Sequence, residues 1–248
     1  MKKNAIVILV TLIFLFSSAW AGNIDSSADA ERPDKIIDVE YPEILDFGDQ
    51  IFGPIDIDSE TLDNQNLGVE FDGEYFWVTG GNTAMDPNKL YKLDRDFSLV
   101  EAYDQPSHST SWGWRDMTWD GTYLYASVDG NLDQIDPSTG EWTGETVNGP
   151  ENPNRALAYD PATDHFWTAN FSSAIYEFDR DGDIINSFGN SYSVYGMAWD
   201  DVSSDGPWLW VFDQTNNVSS IAWQFDPVAG EYTGVSIDMT EVTNDIAG

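Results

Sequence analysis

Short apolar runs recur along this chain at a regular spacing. Four of them end in aspartate, and these aspartates lie 48, 40 and 40 residues apart: Leu67–Asp72, Asp116–Asp120, Ala156–Asp160 and Gly196–Asp200. Each is followed by a turn and an aromatic run that predicts a second strand: Tyr75–Val78, Tyr123–Ala126, His165–Thr168 and Trp208–Val211. A third run closes on another aspartate: Leu90–Asp94, Leu132–Asp136, Ile175–Asp179 and Ala222–Asp226. A period of this length is typical of repeat architectures.

A fourth strand follows in each repeat, and two copies are nearly identical. Asp136-Pro-Ser-Thr-Gly-Glu-Trp-Thr-Gly144 matches Asp226-Pro-Val-Ala-Gly-Glu-Tyr-Thr-Gly234 in register. Sixteen short strands in units of four predict an all-β fold, a β-propeller of four-stranded antiparallel blades. The absence of apolar stripes with a period of 3.6 residues excludes a helical solenoid.

The repeated aspartates have a structural interpretation. They fall at predicted strand ends, where an aspartate side chain accepts hydrogen bonds from nearby backbone amides and stabilises a turn. A catalytic aspartate would occur once and not in every repeat. The run Asp179–Asp183 also contains a glycine and several acids. Its glycine stands at the fourth position and not at the sixth, and no glutamate follows at the twelfth, so the run does not fit a calcium loop of the EF-hand type. We therefore predict a hairpin turn there.

The repeat resembles the exported bacterial β-propeller proteins of the YVTN and NHL-like group. The resemblance rests on the pattern apolar-Ala-Trp-Asp-Gly-x-Tyr-Leu-Trp-Val and covers Leu67 to Asp238. It implies blade architecture but not activity, because such relatives include lactonases, lyases, cyclotransferases and pure binding proteins.

The N-terminus predicts export. Lys2 and Lys3 precede an apolar run from Ala5 to Phe16, and Ser17–Ala21 ends in an Ala-x-Ala cleavage signal. The apolar run is shorter than the ~20 residues that span a bilayer. We expect residues 1–21 to be a signal peptide and the mature protein to be secreted or at the cell surface, with the periplasm as an alternative, and without a membrane span.

The predicted domain boundaries follow from the repeats. An acidic segment, 22–66, contains candidate strands at Ile36–Val39, Ile44–Phe47 and Ile51–Ile57, one of which is expected to pair with the last blade. The blades are assigned to 67–114, 115–154, 155–194 and 195–238. Asp245–Ala247 matches the start of another innermost strand, so 67–248 is expected to include the beginning of a fifth blade and to be part of a longer propeller, the alternative being a complete chain.

Charge and cysteine content narrow the function. The chain has 44 Asp and Glu against 10 Lys and Arg, a formal charge of −34. Nucleic acid is an unfavourable partner, because binding it depends on Lys and Arg. The acidity is consistent with Ca²⁺ binding or with a solubilising surface, and we favour the surface because the carboxylates are scattered. No cysteine is present, so disulfides and thiolate chemistry are excluded.

No residue pattern selects a catalytic site. The chain has two histidines, His108 and His165, and no cysteine, which excludes a zinc site of the His and Cys type. We expect His165 to pack in its strand and His108 to lie in a solvated loop. No catalytic residue, metal ligand or cofactor is predicted.

The strongest candidate site comes from the positions five residues before each inner aspartate. Two of them carry the arginines Arg115 and Arg155, and a third carries Tyr195. In a propeller these positions surround one mouth of the central channel. The preceding loops add Trp112, Trp114 and Tyr192, which gives an aromatic and guanidinium surface suited to stacking a sugar ring or binding a carboxylate. The alternative is that the arginines neutralise channel carboxylates and the aromatics pack the rim.

These observations favour a non-enzymatic interaction module that recognises carbohydrate or another protein at the cell surface. The alternative is a divalent-metal-dependent hydrolase or lyase, as the resemblance to lactonase-type propellers implies. It requires acidic and amide side chains from several blades to meet at one ion, and no spacing in the sequence selects such a set.

Overall fold

The computed structural model describes residues 55–215 and 220–240, and it confirms the predicted all-β fold: four four-stranded antiparallel sheets arranged as a four-bladed β-propeller. Within each sheet the strands pair in chain order. Blade 1 contains β1 Asn66–Phe71, β2 Phe76–Gly80, β3 Lys89–Leu93 and β4 Leu99–Asp104; blade 2 contains β5 Met117–Trp119, β6 Leu124–Val128, β7 Asn131–Asp136 and β8 Glu141–Asn148. Blade 3 contains β9 Ala156–Asp160, β10 His165–Ala169, β11 Ile175–Phe178 and β12 Ile184–Phe188; blade 4 contains β13 Val194–Asp200, β14 Trp208–Asp213, β15 Ile221–Asp226 and β16 Glu231–Asp238.

The first strand of each blade is innermost. Contacts run from β1 to β5, from β5 to β9 and from β9 to β13, so the four first strands are neighbours in chain order.

The second strands are buried on both faces, because each blade packs a different apolar cluster on either side. The junctions between successive blades are filled by large side chains: Trp77 and Met117 between blades 1 and 2, Tyr125 and Phe166 between blades 2 and 3, and Trp167 and Leu209 between blades 3 and 4.

One predicted strand ends differently from expectation. Ile57, the last residue of the predicted strand Ile51–Ile57, begins the short helix α1 Ile57–Thr61. Asp56 caps this helix by accepting a hydrogen bond from the Ser59 amide at 3.2 Å, and Ile57 is buried in an apolar cluster with Phe76 and other residues of blade 1. No helix among residues 55–215 and 220–240 has the length and apolar character that crossing a bilayer requires.

Several predictions about the ends of the chain fall outside the described residues. They are the signal peptide 1–21, the candidate strands Ile36–Val39 and Ile44–Phe47, and the start of another blade at Asp245–Ala247.

The repeated aspartates form the turns that the sequence predicts. At the inner turns, Asp72 accepts hydrogen bonds from the amides of Glu74 and Tyr75, and Asp120 from those of Thr122 and Tyr123, all at 2.7 to 2.8 Å. At the outer turns, Asp94, Asp136, Asp179 and Asp226 act in the same way. The predicted hairpin turn at Asp179–Asp183 is confirmed, because the Asp179 amide bonds the Asp183 carbonyl at 3.1 Å.

The nearly identical fourth-strand motifs also have a packing explanation. Gly140 and Gly230 both have a positive φ, 69° and 72°. A Cβ at Gly140 would lie 2.5 Å from the Tyr103 ring, and one at Gly230 would lie 2.4 Å from the Phe188 ring. In each case the ring belongs to the outermost strand of the preceding blade. The motif thus brings a turn into close contact with the neighbouring blade, which only glycine permits.

Arg180, in the outer turn of blade 3, connects blades 2 and 3. Its Nε donates to Asp164 Oδ1 at 2.7 Å, one terminal nitrogen donates to Asp120 Oδ2 at 2.9 Å, and the other donates to the Tyr125 hydroxyl. Its guanidinium also lies 5.4 Å from the centre of the Phe166 ring. These contacts cross the junction between the two blades, so they hold the sheets against each other.

Two carboxyl groups with raised pKa values lie beside the innermost strands: Asp116 is buried and Glu70 is partly buried. Asp116 Oδ2 accepts hydrogen bonds from the amides of Leu157 in blade 3 at 2.8 Å and Met197 in blade 4 at 3.1 Å. Burial nevertheless raises the pKa of Asp116 to about 7. Glu70 is partly buried on β1, and burial raises its pKa to about 8. The charge of Asp116 also raises this pKa, whereas the hydrogen bond that Glu70 accepts from the Phe71 amide lowers it. Burial therefore disfavours the ionised form of both groups in the folded protein.

The Arg180 contacts predict a measurable contribution to stability. Arg180→Ala should lower the free energy of unfolding by about 1–2 kcal/mol, because it removes charge-assisted hydrogen bonds from a partly exposed site. Arg95→Ala is the matched control: Arg95 occupies the same turn position in blade 1 but is exposed and donates to a carbonyl, that of Gly73. Urea denaturation measures both, and equal losses in the two variants would contradict a bridging role for Arg180.

The raised pKa of Glu70 predicts that the variant Glu70→Gln is more stable than wild type at high pH but not at low pH. Because the folded pKa lies above the unfolded value of about 4.5, the neutral form stabilises the fold at low pH, and this stability is lost as the pH rises through about 8. The variant should resemble wild type at pH 5 and melt several degrees higher at pH 9. The exposed Glu145→Gln is the control for a general reduction in negative charge, and a pH-independent difference for Glu70→Gln would count against the prediction.

Candidate functional site

The candidate residues lie at one end of the propeller, which we call the upper end. It contains the loops that lead into the innermost strands, residues 105–116, 149–155 and 189–193, together with the turns between second and third strands. Antiparallel pairing puts these segments side by side, because a first strand begins where its second strand ends. The amide of Arg115 accordingly bonds the Ser127 carbonyl, and that of Arg155 bonds the Ala169 carbonyl.

Arg155 lies against two aromatic rings. Its guanidinium carbon lies 3.7 Å from the centre of the Phe171 ring and 5.7 Å from that of Tyr195. The two rings meet edge to face at 5.1 Å. The Arg155 Nε also donates to Asn170 Oδ1 at 3.4 Å. Cation–π contact on this scale orients the guanidinium plane while leaving donors on its edge.

Backbone pairing positions Phe171 for this contact. Phe171 lies in the turn after β10, and its carbonyl accepts a hydrogen bond from the Val194 amide at 3.0 Å, which forms a β-bridge to the first strand of blade 4. Tyr195 follows directly in that strand. The bridge therefore brings a turn of blade 3 against the strand that carries Tyr195, and about a third of the Phe171 surface remains accessible (36%).

Arg115 completes the site, and its charge affects Arg155. Burial lowers the pKa of Arg155 to about 10, and the positive charge of Arg115 lowers it as well. Burial also lowers the pKa of Arg115, while Asp129 opposes that shift. The positive charge of Arg115 therefore acts on Arg155, and no described carboxylate lies within ion-pair distance of either guanidinium. We call Arg115, Arg155, Phe171 and Tyr195 the arginine–aromatic cluster.

The structure brings together three of the six residues proposed from the sequence. Arg115, Arg155 and Tyr195 belong to the cluster. Trp114 does not, because it is fully buried (0% exposed) between blades 1 and 2, where its indole nitrogen donates to Asp133 at 2.7 Å. Although Trp114 directly precedes Arg115 in the sequence, its side chain packs in the core and not at the mouth of the central channel.

The other two aromatic residues have different surroundings. Tyr192 stacks on Trp223, with ring centres 4.7 Å apart, and meets Tyr232 edge to face. It therefore takes part in packing within blade 4, as the alternative interpretation of the rim expected. Trp112 lies on the surface, nearly half exposed (46%), in the loop from blade 1 to blade 2.

Both histidines contact a buried carboxylate. His108 Nε2 lies 2.7 Å from Asp133 Oδ2, and its ring rests against Trp142 at 4.7 Å. His165 Nδ1 lies 2.7 Å from Glu177 Oε1. In the part of the chain that the structure describes, no three His, Cys, Asp or Glu side chains are grouped in a way that would hold a metal ion.

Sequence reasoning missed Phe171 and Asn170. The alignment of repeats compared positions before the innermost strands, whereas these two residues lie in the turn after a second strand, where the repeats differ in length. A signal was present: Asn170-Phe171-Ser172 places an aromatic residue in a turn otherwise made of small and polar residues. Its proximity to Arg155 depends on strand pairing, which the repeat alignment did not use.

Comparisons with known proteins support the fold alone. No protein-family model matches the sequence, and no curated protein is significantly similar to it. Among solved structures, the chain is similar to glutaminyl cyclase from Myxococcus xanthus, with 15% identity, a TM-score of 0.53 and coverage of 70% of both chains.

Two further solved structures match less well. Hydrazine synthase from Kuenenia stuttgartiensis has 13% identity and a TM-score of 0.48, with coverage of 70% of this chain and 49% of that one, so this chain spans about half of its length. A protein of unknown function from Bacteroides caccae has 13% identity and a TM-score of 0.47, with coverage of 74% of this chain and 62% of that one. At these identities the shared feature that the comparisons establish is the β-propeller architecture, through the match to the cyclase.

Proposed function

We propose that this protein is an exported, non-enzymatic binding module that recognises carbohydrate through the arginine–aromatic cluster. The observation that carries the proposal is the arrangement of Phe171, Arg155 and Tyr195: two aromatic rings and a guanidinium within 6 Å of one another, on an end of the propeller formed by loops. Sugar rings have an apolar face and a hydroxylated edge. Aromatic rings contact the face, and guanidinium groups donate hydrogen bonds to oxygens at the edge.

The fold is suited to such a site. The cluster takes residues from blades 2, 3 and 4, and the segments that carry them are held by backbone hydrogen bonds to their own second strands. A binding site on segments held by backbone hydrogen bonds loses less conformational entropy when a ligand binds. The aromatic side chains are partly exposed, so they are accessible to a ligand without unfolding of a blade.

Truncation of the aromatic rings tests the proposal. Phe171→Ala and Tyr195→Ala should each weaken glycan binding about tenfold, because each removes a stacking surface of about 1 kcal/mol or more. Phe171 is suited to this test, since the contacts of its backbone carbonyl with Val194 and Asn190 do not depend on its side chain. A glycan array identifies the ligand for the wild-type protein, and calorimetry then measures the affinity of each variant.

Val202→Ala is the matched control. Val202 is exposed and lies in the connection between β13 and β14, at the opposite end of the propeller. It should bind as the wild type does, with all variants compared at temperatures below their melting points. If no glycan binds the wild-type protein, or if the Phe171 and Tyr195 variants bind as tightly as the control, the proposed function is wrong.

A further inference from the structure

We infer that the ligand of the arginine–aromatic cluster carries a carboxylate on a sugar ring, so that the protein recognises uronate-containing glycans. This inference rests on the proposed function and specifies its ligand class. It comes from an imbalance of charge at the cluster, from the orientation of the Arg155 guanidinium and from the charge of the whole chain.

The charge imbalance is that most described lysine and arginine side chains have a partner, whereas Arg115 and Arg155 have no carboxylate partner among the described residues. Among residues 55–215 and 220–240, Lys89 pairs with Asp104, Arg180 pairs with Asp120 and Asp164, Lys92 lies over the Tyr75 ring, and Arg95 donates to the Gly73 carbonyl. Arg115 and Arg155 form no ion pair with any side chain in this part of the chain.

This arrangement is unusual in a chain with 44 acidic residues and only 10 basic ones. Carboxylates are abundant, yet Arg115 and Arg155 are each partly buried with no described carboxylate within ion-pair distance. Asp129 influences Arg115 electrostatically but lies on the exposed side, beyond ion-pair distance. Two partly desolvated like charges raise the free energy of the site. A bound anion lowers it, so the cluster is better suited to a negatively charged ligand than to a neutral one.

The geometry favours a carboxylate attached to a ring. The Arg155 guanidinium carbon lies 3.7 Å from the centre of the Phe171 ring, and the hydrogen bond of this side chain to a described residue comes from Nε, to Asn170. A carboxylate accepts two parallel hydrogen bonds from the edge of a guanidinium. A uronate joins this carboxylate directly to a sugar ring, so one ligand satisfies both the guanidinium and the neighbouring aromatic rings.

The overall charge selects against more highly charged anions. A formal charge of −34 repels every anion at long range, and the repulsion grows with the charge of the ligand group. A carboxylate bears a single negative charge, whereas a phosphate monoester bears close to two at neutral pH. A uronate therefore meets less long-range repulsion than a phosphorylated glycan does.

The test uses matched pairs of oligosaccharides that differ only in the carboxylate. Oligomers of galacturonate, glucuronate and mannuronate are compared with the same oligomers after reduction of each carboxylate to a primary alcohol, by calorimetry at one fixed ionic strength. The wild-type protein should bind at least one acidic oligomer ten times or more tighter than its neutral counterpart. Arg115→Gln and Arg155→Gln should each reduce that ratio toward one.

Arg155→Lys and Arg95→Gln make the result specific. Arg155→Lys keeps the charge but loses the planar fork, so it should retain part of the preference for the acidic oligomer. Arg95→Gln removes a charge from an outer turn and should leave the preference unchanged. Melting temperatures of all variants establish that they are folded, and Arg155→Lys keeps the test decisive if Arg155→Gln does not fold.

The outcomes separate this inference from the proposed function. Equal or tighter binding of the reduced, neutral oligomers, with loss of binding in Phe171→Ala, would overturn the carboxylate inference and leave carbohydrate recognition intact. Binding of phosphorylated or sulfated oligosaccharides in preference to uronates would also overturn it. Failure of every glycan to bind the wild-type protein would overturn both.

Discussion

The arrangement of the propeller depends on one buried carboxylate, that of Asp116. Its Oδ2 accepts hydrogen bonds from the amides of Leu157 and Met197, and its Oδ1 accepts one from the Met117 amide, so a single side chain in blade 2 joins the innermost strands of blades 2, 3 and 4. Blade 1 approaches the same point, since a Cβ at Gly68 would lie 2.7 Å from the Asp116 Cα. The inner strands can converge this closely only because their buried amides find an acceptor there.

The same hydrogen bonds determine the geometry of the candidate site. Arg115 directly precedes Asp116, and Arg155 and Tyr195 each lie two residues before an amide that Asp116 accepts, those of Leu157 and Met197. The relative positions of these three side chains therefore follow from a contact that belongs to the core. Stability and the candidate site share this element, although Asp116 itself is buried and has no access to a ligand. Its raised pKa shows that burial opposes the ionised form that these amides favour.

The acidity of the chain has a partly structural origin. Many aspartates are used at turns, where their carboxylates accept hydrogen bonds from two or more amides, and Asp72 and Asp200 also accept one from the indole nitrogen of Trp77 and Trp210. Negative charge is thus distributed over every blade as a consequence of how the turns are built. Against this background Arg115 and Arg155 are an exception, because neither forms an ion pair with a described carboxylate.

The sequence by itself determined the strands, their grouping in fours and the role of the repeated aspartates, because these depend on local patterns: apolar alternation, turn chemistry and a fixed period. It also indicated Arg115, Arg155 and Tyr195, since equivalent positions in repeats occupy equivalent places in the fold. Only the tertiary structure decided that Trp114 belongs to the core, that Tyr192 packs on Trp223 and that Phe171 completes the site. The physical reason is that a side chain's direction and its neighbours in other blades depend on strand pairing and on contacts between residues far apart in the chain. The hydrogen bond from the Met197 amide to Asp116 is the clearest case, because it joins blades 2 and 4 and the residue pattern of neither blade predicts it.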